Sequence, residues 1–456
     1  MVFEINNLIR ESHFLKVCGS SSLKGEVKIS GAKNSALVLM AASLLANEMI
    51  ELKNVPQLTD VEKMEHILKS LGVKIDAQLD SRIIDSRNIH QGQLPHELVH
   101  GLRASFFCIG PLLARFGEAS LALPGGCKIG QRPINEHIKG LEALGSEIKI
   151  ENDIVYAKIK KNNPRLTGTQ IKLNCPSVGA TETLIMAASL AEGTTIIENA
   201  AREPEIQDLC QFLNQMGAKI YGSGQSKIII YGVDKLKGCS HKVIPDRIEA
   251  GTFLIAAAAT LSEITISPVI PSHLDSVLEK LRESGSEIYI DDNKITICTK
   301  TIRGVDIETA PYPGFPTDLQ APFMSLMTIA SGNSTITENI FENRMGHVIS
   351  LNKMGASIKL ENNIASINGV QSLNGCSNLI GSDLRSSAAV VIAALSAEGT
   401  SYIGGLEHLD RGYEKFELKL NKLGALIKRE LIIKNSTDLK DIEITNIDQI
   451  NNTAAA

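Results

Sequence analysis

Apolar and polar positions along this chain recur in one order. A polar start leads into an Ala-rich apolar run of helical length. A short alternating stretch, a loop, a second run with helical spacing that closes on glycine, and further alternating stretches follow. The closing glycines are Gly72, Gly145, Gly217, Gly285, Gly355 and Gly424, about 70 residues apart. Each stands where a helix needs a left-handed residue at its end, so the pattern predicts six copies of one unit.

The third copy shows the unit most clearly. Gln170 to Leu173 reads as a strand, Ala180 to Ala191 as a helix stopped at Gly193, and Thr195 to Glu198 as a strand. Pro204 to Met216 reads as an amphipathic helix, with strands near Lys219 to Tyr221 and Lys227 to Ile230. The unit is βαβαββ. The first helix of each copy is apolar on nearly every face, as in Ala36 to Ala42 and Phe253 to Ala259. Such a helix belongs inside with sheets outside it. The expected fold class is α/β: a two-domain, inside-out α/β barrel of six βαβαββ repeats, three to a domain. Asn152-Asp153 and Asp291-Asp292-Asn293 read as hairpin turns, and after a strand over Ala425 to Lys434 the polar stretch Asn435 to Ala456 reads as a tail.

Composition narrows the class. At 456 residues the chain exceeds one ordinary core, and 43% hydrophobic with 21% charged residues is a globular balance. A net charge of -5 argues against nucleic acid as the main partner, so any bound anion is expected to be small. The eight cysteines form no C-x-x-C pair, which fits a reducing compartment, and the ten histidines form no metal-binding spacing. No metal and no cofactor are expected. Met1 to Val17 lacks the apolar core of a signal peptide, and no run approaches the roughly 20 apolar residues of a membrane span. The chain reads as soluble and cytoplasmic, with no membrane partner.

Candidate chemistry sits in two recurring loop slots. The second copy runs from Arg103 to about Lys158, and its loop before the second helix is Pro124-Gly125-Gly126-Cys127-Lys128-Ile129-Gly130-Gln131-Arg132-Pro133. Glycines that expose amides, two cations and a thiol make an anion cradle with a reactive cysteine, or else a solvated turn. The same slot elsewhere holds Asn54-Val55-Pro56, Ala201-Arg202-Glu203-Pro204, Glu342-Asn343-Arg344 and Asp410-Arg411-Gly412. The entry to the first helix holds Lys33-Asn34, Arg103, Ser177-Val178-Gly179, Asp246-Arg247, Asp318 and Asp383-Leu384-Arg385. Helix N-termini favour anions there. Simpler readings stand beside these: Asp60, Asp246 and Asp383 as plain N-caps, Arg202 and Arg344 as solvated or locally paired, and Cys108, Cys210 and Cys298 as inert core.

Five segments carry a resemblance. Gly31-Ala32-Lys33-Asn34-Ser35-Ala36, Pro124 to Gly130, Pro176-Ser177-Val178-Gly179-Ala180-Thr181-Glu182, Phe315-Pro316-Thr317-Asp318-Leu319-Gln320 and His408-Leu409-Asp410-Arg411-Gly412-Tyr413 resemble the UDP-N-acetylglucosamine 1-carboxyvinyltransferase family. The resemblance spans about Lys16 to Arg429 in order. It implies enolpyruvyl transfer from phosphoenolpyruvate to UDP-N-acetylglucosamine at the start of peptidoglycan precursor synthesis. It also implies that residues 1–32 join 244–434 in one domain, with 33–243 as the other.

The resemblance implies roles residue by residue. Lys33, Arg132 and Arg411 are ligands of phosphoenolpyruvate, with Arg103 and Arg385 nearby; Asp318 is the base; Cys127 is the proton donor, the adduct site and the target of the epoxide antibiotic fosfomycin. The nucleotide sugar is expected along Asn34, Arg103, Arg132, Pro133, Ile134, Asn135, Glu136, Ser177, Val178, Gly179, Asp318 and Ile340. The family usually has an aspartate at Asn135 and an apolar residue at Glu136, so backbone contacts to uridine are expected there. Cys175 stands where some members place a uridine-site lysine. Two alternatives share the scaffold: 5-enolpyruvylshikimate-3-phosphate synthase, and a silent repeat protein that binds nucleotide. The Pro-Gly-Gly-Cys thiol and the Ser-Val-Gly-Ala stretch favour the nucleotide sugar over the first. A pure binder has no need of both a thiol and a carboxylate base.

Overall fold

The computed structural model describes residues 10–89, 103–123, 129–130 and 133–434. The Asn435 to Ala456 tail lies outside them. The chain forms two compact units, one of Ser30–Arg247 with Ala310–Gly314 and the other of 10–29, Ile248–Thr309 and 315–434. Among the described residues no helix is long and apolar enough to cross a membrane.

Among the described residues, three sheets lie in the first unit. In one, Ser81–Asp85 pairs antiparallel with Met49–Lys53 and Lys74–Ala77, and Ser240–Lys242 adds a parallel edge to Met49–Lys53. A second has Ile154–Ile159 antiparallel between Glu118–Ala122 and Ser146–Glu151. In the third, Lys227–Tyr231 lies antiparallel between Thr194–Glu198 and Lys219–Tyr221, with Gln170–Lys172 parallel at the edge. Period-2 patterning explains the orientation: Thr195 and Ile197 face inward while Thr194 faces out.

The other unit repeats this plan. Arg10–Cys18 lies antiparallel between Thr400–Gly404 and Leu426–Lys434, and Leu379–Ile380 is the parallel edge. Lys24–Lys28 is the parallel edge to Glu263–Ser267, which continues antiparallel to Lys294–Thr299 and Ser286–Asp291. Ile307–Glu308, Asn333–Thr337, Ile364–Asn368 and Ser357–Glu361 form the last sheet in that order.

Each unit has its own core, built on helices buried all round. Ala36 to Ala42 on helix Lys33–Ala42 and Phe253 to Ala259 on helix Arg247–Ala259 are at most 3% exposed. Each Leu, Val or Phe so buried contributes about 1.5–3 kcal/mol. All six closing glycines have positive φ, between +92° and +109°, just past a helix end, as their spacing predicts. Asn152 and Asp153, at φ +51° and +59°, make the two-residue hairpin turn between the paired Glu151 and Ile154. Asp291 instead pairs with Lys294, so the second turn is Asp292-Asn293 alone.

Two expectations are corrected. The helix expected over Ala180 to Ala191 is Val178–Ala188. It starts early because Ser177 caps it, its hydroxyl accepting from the Ala180 amide at 3.3 Å. It ends early, leaving Gly193 in the turn before the next strand. Cys298 is not core: Ile295 and Ile297 take the buried face, and Cys298 shares the half-buried one with Thr296.

Asp383 is the plain N-cap its sequence suggested. Its Oδ1 accepts from the amides of Arg385 at 2.9 Å and Ser386 at 3.2 Å, opening helix Leu384–Ser396. Asp383→Ala is expected to cost about 1 kcal/mol, measured as a lower urea midpoint at unchanged slope. A midpoint equal to that of the unmodified chain would remove the cap.

Candidate active site

Lys33 is the first residue of its helix, preceded by Ala32, which cannot cap. Remote groups fix this helix start instead. The Ala32 amide donates to the Ile244 carbonyl at 2.7 Å and the Lys33 amide to Asp246 Oδ2 at 3.1 Å. The Ser35 hydroxyl donates to Asp208, whose other oxygen meets His241 Nε2 at 2.8 Å. Gly31 is obligatory here, because a Cβ would lie 1.8 Å from the Asn54 carbonyl oxygen. The carboxylate of Asp246 lies at this helix N-terminus, where the dipole favours negative charge. Lys33 Nζ lies 3.4 Å from Asp60 Oδ2. Asp60 is therefore no N-cap: it sits inside helix Thr59–Ser70, buried, as the partner of Lys33. Asn34, beside it, is exposed.

The same unit brings two further candidate segments together. Ser177, Val178 and Gly179 open helix Val178–Ala188, and a Cβ on Gly179 would lie 3.0 Å from His137 Nε2 on helix Asn135–Ala143. That close approach sets Gly179 beside His137, the residue after Glu136. The Glu136 carboxylate is occupied, accepting from the Asn174 amide at 2.9 Å and its side chain at 2.7 Å. Pro133 and Asn135 are exposed, Ile134 buried, and Cys175 exposed. Arg103, half-buried, begins the turn of 3₁₀ helix Arg103–Cys108. Glu182, five residues beyond Ser177, is buried. Burial first, then the nearby charges of Glu205 and Glu203, push its carboxyl well above the usual range. Cys127 and Arg132 lie outside the described residues.

In the other unit Asp318 stands in the first turn of helix Thr317–Met327. Arg344 Nη2 donates to its Oδ1 at 2.6 Å and Arg385 Nη2 to its Oδ2 at 2.7 Å. The arginine side chains are 6% and 3% exposed, the carboxylate 24%. Desolvation raises the Asp318 pKa, but Arg385 and Arg344, through charge and hydrogen bonds, more than offset it and hold the group well below the usual carboxylate range. Aromatic faces brace both cations, with Phe341 5.1 Å from Arg344 Cζ and Tyr413 5.3 Å from Arg385 Cζ. Arg411, half-buried, lies two residues before Tyr413. Next to it, a Cβ on Gly412 would lie 2.5 Å from Leu384, the neighbour of Arg385. Ile340, 36% exposed, donates its amide to Glu338 Oε1 at 2.8 Å.

Arg344 is the candidate that sequence reasoning left aside. It is neither solvated nor locally paired: buried, it binds Asp318, the proposed base, 26 residues earlier in the chain. The available signal was its slot, which is the one Arg411 fills in the next copy.

A family model described as EPSP synthase (3-phosphoshikimate 1-carboxyvinyltransferase) matches residues 17–420. The chain is 69% identical over 426 residues to a UDP-N-acetylglucosamine 1-carboxyvinyltransferase of Prochlorococcus marinus subsp. pastoris, covering 93% of each. It is 57% identical over 444 residues to the protein so named in Prochlorococcus marinus strain NATL1A, covering 96% of this chain and 97% of that one. Two solved structures share the fold. The enolpyruvyl transferase NikO from Streptomyces tendae matches with TM-score 0.83 at 23% identity, over 92% of this chain and 100% of that chain. EPSP synthase from Acinetobacter baumannii matches with TM-score 0.69 at 19% identity, over 92% and 99%.

Proposed function

Because the chain belongs to the EPSP synthase family of enolpyruvyl transferases, we propose that it transfers the enolpyruvyl group of phosphoenolpyruvate to the 3′-hydroxyl of UDP-N-acetylglucosamine, releasing phosphate. The observation that carries the chemistry is Asp318, a carboxylate kept ionised between two arginines yet partly open to solvent. The name shared by its relatives at 57% and 69% identity selects the acceptor. The reaction begins peptidoglycan precursor synthesis, and we place it in the cytoplasm.

Each step has a residue. Lys33, Arg132 and Arg411, with Arg103 and Arg385, bind the phosphate and carboxylate of phosphoenolpyruvate. Asp318 takes the proton of the sugar hydroxyl as its oxygen bonds to C2, and Cys127 protonates C3. The tetrahedral ketal so formed expels phosphate and regenerates the double bond as the proton leaves C3. Asn34, Arg103, Arg132, Pro133, Ile134, Asn135, Glu136, Ser177, Val178, Gly179 and Ile340 hold the nucleotide sugar. With the Glu136 carboxylate bound to Asn174, that residue is left to contribute its backbone. The six sheets are read as copies of one βαβαββ unit in an inside-out barrel. The repeated parallel edge strands and closing glycines support this.

Phosphate release measured with UDP-N-acetylglucosamine, with shikimate 3-phosphate and with no acceptor tests the reading. Release is expected with the nucleotide sugar alone. Release with shikimate 3-phosphate instead would transfer the assignment to the related synthase, and none with either would leave a silent binder.

A further inference from the structure

Asp318 is held by a relay that reaches back to a buried carboxylate. Arginine only donates, so in the 2.8 Å contact between Arg344 Nη1 and Thr317 Oγ1 the hydroxyl must accept. Its own proton is then directed to Glu338 Oε2, also at 2.8 Å. Glu338 is 2% exposed, and its other oxygen accepts from Thr309 Oγ1 at 2.9 Å and from the amides of Ile340 at 2.8 Å and Phe341 at 3.1 Å. A carboxylate with this many donors cannot turn without losing several hydrogen bonds at once. Among the described residues the Arg344 Nε has no hydrogen-bond partner, and its guanidinium is bonded at two points, Thr317 and Asp318.

We infer that Thr317 and Glu338 are positioning residues for the reaction: Glu338 orients the Thr317 hydroxyl, which holds Arg344 against Asp318. The same carboxylate sets the backbone of Ile340, so the base and one wall of the sugar site are placed by a single buried group. This rests on Asp318 being the base. Among the described residues, Arg344, Arg385 and, through Arg385, the Tyr413 hydroxyl bear on that carboxylate. Of these, Arg344 is bonded to Thr317. Loosening Thr317 should therefore weaken one of the two charges that keep Asp318 ionised and leave the other in place.

Thr317→Val keeps the shape and removes the hydroxyl, while Thr317→Ser keeps the hydroxyl. In the full chain, the Val variant is expected to lower kcat about tenfold, with KM for phosphoenolpyruvate within about twofold. The acid limb of its kcat–pH profile should move to higher pH, because a base less stabilised as an anion protonates earlier. The Ser variant should restore both. A lower thermal midpoint with an unmoved acid limb would mean a purely structural threonine and overturn the inference. Asp318→Asn distinguishes the two levels. If that variant turns over normally, the base assignment fails and the inference with it. If it is crippled while Thr317→Val keeps its rate and profile, only the inference fails.

Discussion

Asp318→Asn is expected to lower kcat by about 10²–10⁴-fold while the nucleotide sugar still binds. An amide cannot take the proton of the attacking hydroxyl, and its NH₂ would face a guanidinium that has only hydrogens to offer. The geometry also predicts an effect on stability. Arg344 and Arg385 are almost wholly buried, and removing their shared anion leaves two cations uncompensated, at a cost on the order of 3 kcal/mol. The pH dependence has a definite sign. The folded-state pKa of Asp318 lies below its unfolded value of about 3.9, so its contribution is complete above that pH and is lost as pH falls through the folded value. Denaturation of the two proteins should therefore differ at neutral pH and converge in strong acid. A normal kcat for the Asn variant would remove Asp318 as the base, and a stability gap that persists in acid would contradict the ion-pair account.

The repeat pattern made much of the fold legible before any coordinates. Glycine at a left-handed helix end and strict apolar periodicity are local signals, so Gly72 through Gly424 and the strands Lys219–Tyr221 and Lys227–Tyr231 could be read from neighbours alone. What was not legible depends on partners distant in sequence. Asp60 looked like a helix cap because an aspartate near a helix start reads alike in sequence whether it caps or sits in the first turn, and only the fold sets Lys33 beside it. Arg344 and Glu338 carry no local mark of the network joining them to Asp318 through Thr317. Cys298 was a different failure: its alternation with Ile295 and Ile297 was visible, and an apolar neighbourhood was mistaken for an inward face.

Cys127→Ser is expected to lower kcat by at least about 10²-fold. Described residues flank this one in the chain. Leu123, following strand Glu118–Ala122, donates its amide to the Asp153 carbonyl at 2.6 Å, and helix Asn135–Ala143 comes later in the chain. Between them Ile129 is buried and Gly130 has φ +140°, a conformation that L side chains rarely adopt. An ordinary thiol, with a pKa of about 8.5, can both give and recover a proton near neutral pH. A serine hydroxyl is far too weak an acid to do so, although it is almost the same size. The substitution should therefore affect the chemical step and leave KM for UDP-N-acetylglucosamine within about twofold, since the sugar is assigned to other groups. It should also abolish covalent modification by fosfomycin, because the epoxide is opened by a thiolate and not by a neutral hydroxyl. Intact-protein mass spectrometry after incubation reads this directly. One adduct is expected on the unmodified chain and none on the variant. An adduct that survives the substitution, or a variant that turns over at the original rate, would assign the reactive thiol to another cysteine, with the exposed Cys175 the first to test.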